Sequence, residues 1–133
     1  IHVPLILRCP GTIPAGKVVQ DLVDSADFFP TFCELAGVPV PAGAAPDGIS
    51  FCDPLFGRGP GQREWVTAGI DGNFIVFDGQ WRLDREKGVL IDCRNLPAEK
   101  PADMSEPAAQ AAKARLQKIA DALSQSKSDH VQL

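Results

Sequence analysis

Hydrophobic and polar positions predict a strand and then a helix in the first third of the chain. Residues 3–7 form a continuous apolar run that closes before Pro10-Gly11, a pattern typical of a strand covered on both faces in a largely parallel sheet. A helix is predicted over residues 27–36. Asp27 can serve as its N-cap, Pro30 falls in the first turn, where no N–H is needed, and Gly37 suits a left-handed exit.

The predicted helix has one apolar face, and we expect this face to pack on the same sheet as the strand. Its members are Phe29, Phe32, Cys33 and Ala36. Residues 39–46 form a linker rich in Pro, Ala and Gly, and residues 57–61 form a glycine-rich loop. A short helix is predicted between them, over residues 53–56.

From residue 65 onward the pattern changes to short β-type runs. These runs lie at residues 65–70, 73–78, 80–85 and 89–93, with Asp78-Gly79 and Lys87-Gly88 as turns. Ser105 can cap a final helix whose apolar stripe consists of Ala109, Ala112, Leu116, Ile119 and Leu123. The sequence therefore predicts a small four-stranded antiparallel sheet packed on a C-terminal helix.

Composition and charge exclude several classes of function. The chain has 133 residues and a net charge of −4, with acidic and basic side chains interspersed, so it offers no basic stripe for nucleic acid. A transmembrane helix needs about 20 consecutive apolar residues. Because no run in this chain approaches that length, we expect no membrane partner. Cys9, Cys33, Cys52 and Cys93 include no Cys-x-x-Cys pair, which argues against zinc. Two disulfides are compatible with this spacing in an oxidising compartment, but reduced buried thiols are favoured. The sequence does not assign the chain to a cellular compartment.

Residues with catalytic chemistry do not combine into a recognisable site. His2 and His130 are the only histidines, and neither has the spacing of a metal site or a Ser-His-Asp triad. Arg58 and Arg63 could contact an anionic substrate, although basic surface loops are common without such a role. The carboxylates of the second half form no acid–base pair; they are Asp71, Asp78, Asp84 and Asp92. We therefore assign no catalytic residue and no metal ligand to the chain.

The order of several segments resembles the late part of the sulfatase family. The resemblance rests on the strand ending at Pro10-Gly11, on Asp27-x-x-Pro30-Thr31, on residues 35–39 (LAGVP), on residues 47–50 (DGIS), on residues 78–83 (DGQWRL) and on residues 90–99. It implies an α/β fold, the C-terminal part of an alkaline-phosphatase-like sulfatase fold. Residues 1–60 would then end the large α/β domain with one strand and one helix, and residues 61–133 would form the antiparallel subdomain.

The resemblance also implies a function for a longer parent protein. A sulfatase hydrolyses sulfate esters with a formylglycine, made from cysteine in Cys-x-Pro/Ala-Ser-Arg, and with a divalent metal, calcium in our expectation. Both would lie upstream of Ile1, so we expect this chain alone to be inactive and its partner to be the N-terminal catalytic part of the same protein. Cys52-Asp53-Pro54 resembles the motif, but Leu55 and Phe56 replace its Ser and Arg.

Two alternatives to a sulfatase stay open. One is a phosphonate monoester or phosphodiester hydrolase of the same superfamily, and the other is a non-catalytic structural or binding module. The residues that would separate these alternatives are expected upstream of the chain.

Overall fold

The computed structural model describes residues 3–45, 47–70 and 73–129, with the backbone alone at residues 70 and 126–129. Within it the chain divides into two compact units, Ile1–Glu64 and Trp65–Leu133. We call them the first and the second unit. The assignment of residues 1–60 to the end of a large α/β domain stays a prediction.

The first unit contains a 3-10 turn and two helices. The turn spans Ser25–Asp27, helix α1 spans Phe28–Leu35 and helix α2 spans Cys52–Phe56. Helix α1 ends as the sequence predicts: Gly37 has a φ of 66°, its N–H donates to the Glu34 carbonyl at 3.1 Å, and the Val38 N–H donates to the Cys33 carbonyl at 2.9 Å. This is a Schellman exit, and it satisfies two carbonyls at the end of the helix.

Two sequence predictions about the start of α1 have different outcomes. Pro30 does lie in the first turn. Asp27 does occupy the predicted N-cap position of α1, but its carboxylate makes no capping hydrogen bond to this helix. Asp24 instead caps the preceding 3-10 turn by accepting from the Ala26 N–H at 3.0 Å, and the Asp27 carboxylate is used elsewhere.

The strand expected at residues 3–7 is not formed in the described part of the chain. A strand exists through backbone pairing with a neighbour, and the only paired strands among the described residues belong to the second unit. Val3 and Ile6 are 74% and 88% exposed. The expected packing of the α1 apolar face on a sheet is likewise not formed, since Phe29 and Phe32 are exposed while Pro30 and Thr31 are buried.

The second unit is an antiparallel sheet in the order β1-β2-β3-β4-β5, followed by helix α3. The α/β class and the sheet packed on a C-terminal helix are thereby confirmed. The strands number five where four were expected, because a two-residue strand adds to β4 through the pairs Ile91↔Pro101 and Asp92↔Lys100. The elements are β1 Val66–Ile70, β2 Asn73–Phe77, β3 Trp81–Asp84, β4 Val89–Asp92, β5 Lys100–Pro101 and α3 Pro107–Asp129.

The core of the second unit lies between one face of the sheet and α3. Its fully or nearly buried side chains are Val76, Trp81, Leu83 and Leu90 from the sheet and Ala109, Ala112, Leu116 and Ala120 from the helix. The helical stripe was therefore predicted almost correctly. The prediction that Ser105 caps α3 is wrong, because α3 begins at Pro107 and the Ser105 hydroxyl donates to Asp103 at 2.7 Å. Among the described residues, none of the helices combines the length and the hydropathy of a membrane span.

Candidate functional site

The most densely bonded polar group of the first unit is the Asp27 carboxylate, which is 1% exposed. It accepts hydrogen bonds from the Arg63 guanidinium, through Nε at 2.6 Å and also through Nη2. The backbone N–H groups of Asp24 and Ile49 each donate to it at 2.8 Å. Arg63 Nη2 donates further to the Asp47 carbonyl at 2.7 Å. One buried ion pair thus joins the entry of α1, residues 47–50 and the segment after the glycine-rich loop.

These contacts decide the protonation state of Asp27. Burial pushes the pKa of this carboxyl upward, but the hydrogen bonds from Arg63, Asp24 and Ile49 outweigh burial and lower the net pKa. The carboxylate is therefore ionised, and four donors occupy its oxygens. Because the Arg63 side chain is only 9% exposed, its guanidinium serves this ion pair, and the arrangement does not present it to an anionic substrate.

The Thr31 hydroxyl holds residues 47–51 at a second point. It is fully buried, donates to the Asp27 carbonyl at 2.6 Å and accepts from the Phe51 N–H at 3.1 Å. Gly48 is required for the close approach, since a Cβ there would lie 2.5 Å from the Ala26 carbonyl oxygen. The two family-like motifs, Asp-x-x-Pro-Thr and Asp-Gly-x-Ser, are thus two halves of one packing arrangement.

Cys52 is a buried thiol beside this network. Its side chain is 1% exposed, and its Sγ lies 3.8 Å from the Thr31 carbonyl oxygen. Burial raises the pKa of the Cys52 thiol, so the thiol stays protonated and is a poor nucleophile. The interpretation of Cys52 as a small buried residue is confirmed.

A polar cluster lies on the surface above Cys52. Ser50 Oγ donates to Glu34 at 2.6 Å, and Arg58 donates to Glu34 and to Asp53 at 3.0 Å each. The three charged side chains are about half exposed. Since one guanidinium faces two carboxylates, the cluster offers no net positive charge to an anion, and the suggested substrate contact through Arg58 gains no support.

The carboxylates of the second unit stabilise turns and strand ends. Asp78 accepts from the Trp81 N–H at 2.7 Å and from Arg115 at 2.5 Å, and Asp84 accepts from the Lys87 N–H at 3.0 Å. None of them is paired with a second carboxyl in an acid–base arrangement among the described residues. Three residues weighed in the sequence lie outside the described part, and they are His2, Asp71 and His130.

Arg94 forms a clasp that the sequence did not reveal. Its guanidinium bonds Asp92 through Nε at 3.0 Å and Nη2 at 2.9 Å, bonds Glu106 through both terminal nitrogens, and lies 4.3 Å from the Trp81 ring centre. The Arg94 hydrogen bonds lower the pKa of Asp92 to about 2. The clasp joins the end of β4 to the start of α3 and covers Trp81.

The described residues contain neither a metal-binding cluster nor a disulfide. No group of three His, Cys, Asp or Glu side chains there could hold a metal ion. The four cysteines are free thiols, of which Cys9 is exposed, Cys33 is half-buried, and Cys52 and Cys93 are buried.

Comparison with known proteins relates this architecture to sulfatases. Residues 1–69 match the family model described as N-sulphoglucosamine sulphohydrolase, C-terminal. Arylsulfatase G of Homo sapiens is 37% identical over 93 residues, which are 68% of this chain and 18% of that protein. Steryl-sulfatase of Homo sapiens is 40% identical over 58 residues, 44% of this chain and 10% of that protein.

A bacterial sulfatase is also similar to this chain. N-acetylglucosamine-6-O-sulfatase of Bacteroides thetaiotaomicron is 30% identical over 88 residues, 66% of this chain and 15% of that protein. The chain therefore spans less than a fifth of the length of each of these relatives.

Proposed function

Because the chain belongs to the N-sulphoglucosamine sulphohydrolase C-terminal family and is a C-terminal portion of a sulfatase, we propose that it completes the fold of a longer protein that hydrolyses sulfate esters. The observation that carries the proposal is the match over residues 1–69. These are the residues that build the Asp27–Arg63 network, so the family likeness coincides with a specific, fully bonded packing arrangement. The partner of this chain is then the N-terminal catalytic part of the same protein.

We further propose that the longer protein uses a divalent metal, calcium by expectation, and a formylglycine, both provided by residues upstream of this chain. Cys52 does not fit the role of formylglycine precursor. Leu55 and Phe56 stand where the motif needs Ser and Arg. The contribution of this chain to turnover is therefore structural.

Activity of the longer protein tests the proposal. The coding region that includes residues 1–133 and extends upstream is expressed as one protein and offered an aryl sulfate, a glucosamine sulfate, a phosphonate monoester and a phosphodiester. We expect sulfate-ester turnover by the longer protein. The 133-residue chain alone should show none above a boiled control. Turnover of the phosphorus esters alone would identify a phosphonate monoester or phosphodiester hydrolase in place of a sulfatase. If no ester were turned over, a non-catalytic module would be favoured.

Mass spectrometry tests the assignment of Cys52 separately. The chain is expressed together with a formylglycine-generating enzyme, and a control peptide with an intact Cys-x-Pro-Ser-Arg motif is expressed in the same cells. We expect the aldehyde in the control peptide and an unmodified thiol at Cys52. An aldehyde at Cys52 would overturn the structural assignment of this residue.

A further inference from the structure

Two Asp-Gly bonds of the described chain have different surroundings. Asp47-Gly48 lies in the segment that Thr31 and Arg63 hold, and Asp78-Gly79 forms the turn between β2 and β3. The third such bond of the sequence, Asp71-Gly72, lies outside the described residues. An Asp-Gly bond is chemically reactive because glycine has no side chain to shield its amide nitrogen from the neighbouring carboxyl group. What surrounds each bond therefore decides whether it reacts in the folded protein.

The Asp78 carboxylate is held by three donors. It accepts from the backbone N–H groups of Gln80 at 2.9 Å and Trp81 at 2.7 Å, and from the Arg115 guanidinium at 2.5 Å. The Asp78 side chain is also only 4% exposed. Its carboxyl group is therefore fixed, and at least one of these hydrogen bonds must break before the carboxyl carbon can react with the Gly79 nitrogen.

The Asp47 carboxylate has no such partners. Asp47 is exposed, and within residues 3–45, 47–70 and 73–129 no donor reaches its carboxylate and no acceptor reaches the Gly48 N–H. The glycine itself is required by the fold, since a Cβ at Gly48 would lie 2.5 Å from the Ala26 carbonyl oxygen. The packing that requires glycine thus leaves an unshielded amide nitrogen beside a carboxylate that only solvent surrounds.

From this contrast we propose that Asp47-Gly48 is a site of aspartate isomerisation in the folded protein, and that the isomer opens the buried Asp27–Arg63 pair. The Gly48 nitrogen attacks the carboxyl carbon of the protonated Asp47 side chain. A C–N bond forms, the nitrogen loses its proton and one water molecule leaves, which gives a five-membered succinimide. Water then opens the ring at either carbonyl group. Opening at the former backbone carbonyl gives isoaspartate, and no oxidant or cofactor takes part.

Isoaspartate at residue 47 changes the acceptor that Arg63 uses. In the isomer the main chain runs through the former side chain, which adds one backbone carbon, and the former backbone carbonyl becomes a carboxylate. Arg63 Nη2 donates to that carbonyl at 2.7 Å, so a second negative charge now competes with Asp27 for the guanidinium. The added carbon also shifts the Ile49 N–H, which donates to Asp27 at 2.8 Å. Both changes weaken the hydrogen bonds that fix the Asp27 carboxylate.

The test follows isomerisation and local opening in the same molecules. The longer protein that contains residues 1–133 is incubated at body temperature and neutral pH, pulsed with a thiol reagent at intervals and digested with trypsin. Cleavage after Lys17 and Arg58 releases residues 18–58 as one peptide, which contains both Asp47 and Cys52. Electron-transfer fragmentation distinguishes isoaspartate from aspartate and locates the label. Labelling of the buried Cys52 thiol reports opening of the first unit.

Isoaspartate should accumulate at residue 47 at least about tenfold faster than at residue 78, because Asp78 must first lose a hydrogen bond to a charged group. In urea, where both bonds lose their surroundings, the two rates should become similar. Molecules with isoaspartate at residue 47 should label Cys52 at least about tenfold faster than their unmodified neighbours. Asp47→Glu is the matched control. It keeps the charge but would need a six-membered ring, so residue 47 should stay unmodified and Cys52 should label at the wild-type rate.

Three results would overturn the proposal. Equal isomerisation at residues 47 and 78 in the folded protein would show that their surroundings do not select between the two bonds. Isomerisation of residue 47 in urea alone would show that the fold protects Asp47. Equal Cys52 labelling of peptides with aspartate and isoaspartate at residue 47 would show that the isomer leaves the Asp27–Arg63 pair intact. None of these readouts is sulfatase activity, so the proposed function can fail while this proposal stands.

Discussion

Removing the Arg63 guanidinium should increase local opening of the first unit. In the wild type the Asp27 carboxylate is 1% exposed, and in Arg63→Ala it keeps its two backbone donors but loses its countercharge. Breaking a buried ion pair from one side costs about 3–5 kcal/mol. Since the two backbone bonds persist, we take the lower end, about 3 kcal/mol, which corresponds to roughly a 150-fold increase in local opening.

Cys52 and Cys93 provide a reporter and an internal reference for this effect. Cys52 is buried against Thr31 beside the network, and Cys93, 4% exposed, lies in the second unit. With the other two cysteines replaced by serine, Arg63→Ala should accelerate thiol labelling of Cys52 about 150-fold and leave Cys93 unchanged.

Arg58→Ala is the matched control, because Arg58 belongs to the same unit and also pairs with carboxylates. Its ion pairs with Glu34 and Asp53 are about half exposed, and such pairs contribute only about 0–1 kcal/mol. Labelling of Cys52 should therefore rise by no more than about fivefold in this variant. If Arg63→Ala and Arg58→Ala gave the same rate, burial would not be the source of the Asp27–Arg63 contribution, and our reasoning would be refuted.

Four further outcomes are expected. The pKa of Asp92 is lowered from 3.8 to about 2. The ionised Asp92 carboxylate therefore contributes fully to the stability of the second unit above pH 3.8, and this contribution is lost as the pH falls through about 2. An acid titration followed by tryptophan fluorescence should show this loss in wild type but not in Asp92→Asn. A Cβ at Gly69 would lie 2.1 Å from the Asn73 carbonyl oxygen, and Gly69→Ala should lower the unfolding free energy of the second unit by about 1–3 kcal/mol, seen as a lower urea midpoint. Thr31→Val leaves the buried Phe51 N–H unpaired and should cost about 1–3 kcal/mol, seen as faster Cys52 labelling. In hydrogen exchange of the isolated chain, amides of residues 3–7 should exchange well before those of β3, and strong protection of residues 3–7 in a monomeric sample would contradict this.

The second unit could be predicted from the sequence because its signals are local. Short β-type runs bounded by turn residues located β1 to β4 to within two residues, and the Asp78-Gly79 turn is stabilised by the Asp78 carboxylate accepting from the Trp81 N–H. The apolar stripe of α3 follows the helical period. Strand β5 could not be predicted, since the dipeptide Lys100–Pro101 has no strand pattern and pairs only because β4 offers a free edge.

The bonded network of the first unit could not be predicted, because its partners are distant in the chain. Asp27 and Arg63 are 36 positions apart, and no periodic pattern relates them. An aspartate before a helix is usually a cap, and an arginine after a glycine-rich loop is usually exposed. Both interpretations change once the two side chains are known to be buried, and burial follows from the packing of the whole unit. The sequence did contain a weaker signal, namely two family-like motifs in fixed order, which proved to be the two sides of this contact.

The remaining differences between sequence and structure have a common cause. The strand expected at residues 3–7 and the covered face expected on α1 both come from apolar patterns, and an apolar pattern records burial in the complete folded protein. In the second unit the covering element, α3, is part of the same unit, so pattern and structure agree. In the first unit Ile6 and Phe32 are exposed, so the pattern implies a cover that the described residues do not supply. Since both segments lie within the residues that match the sulfatase family, their unmet burial is the physical reason to look for the cover in the longer protein.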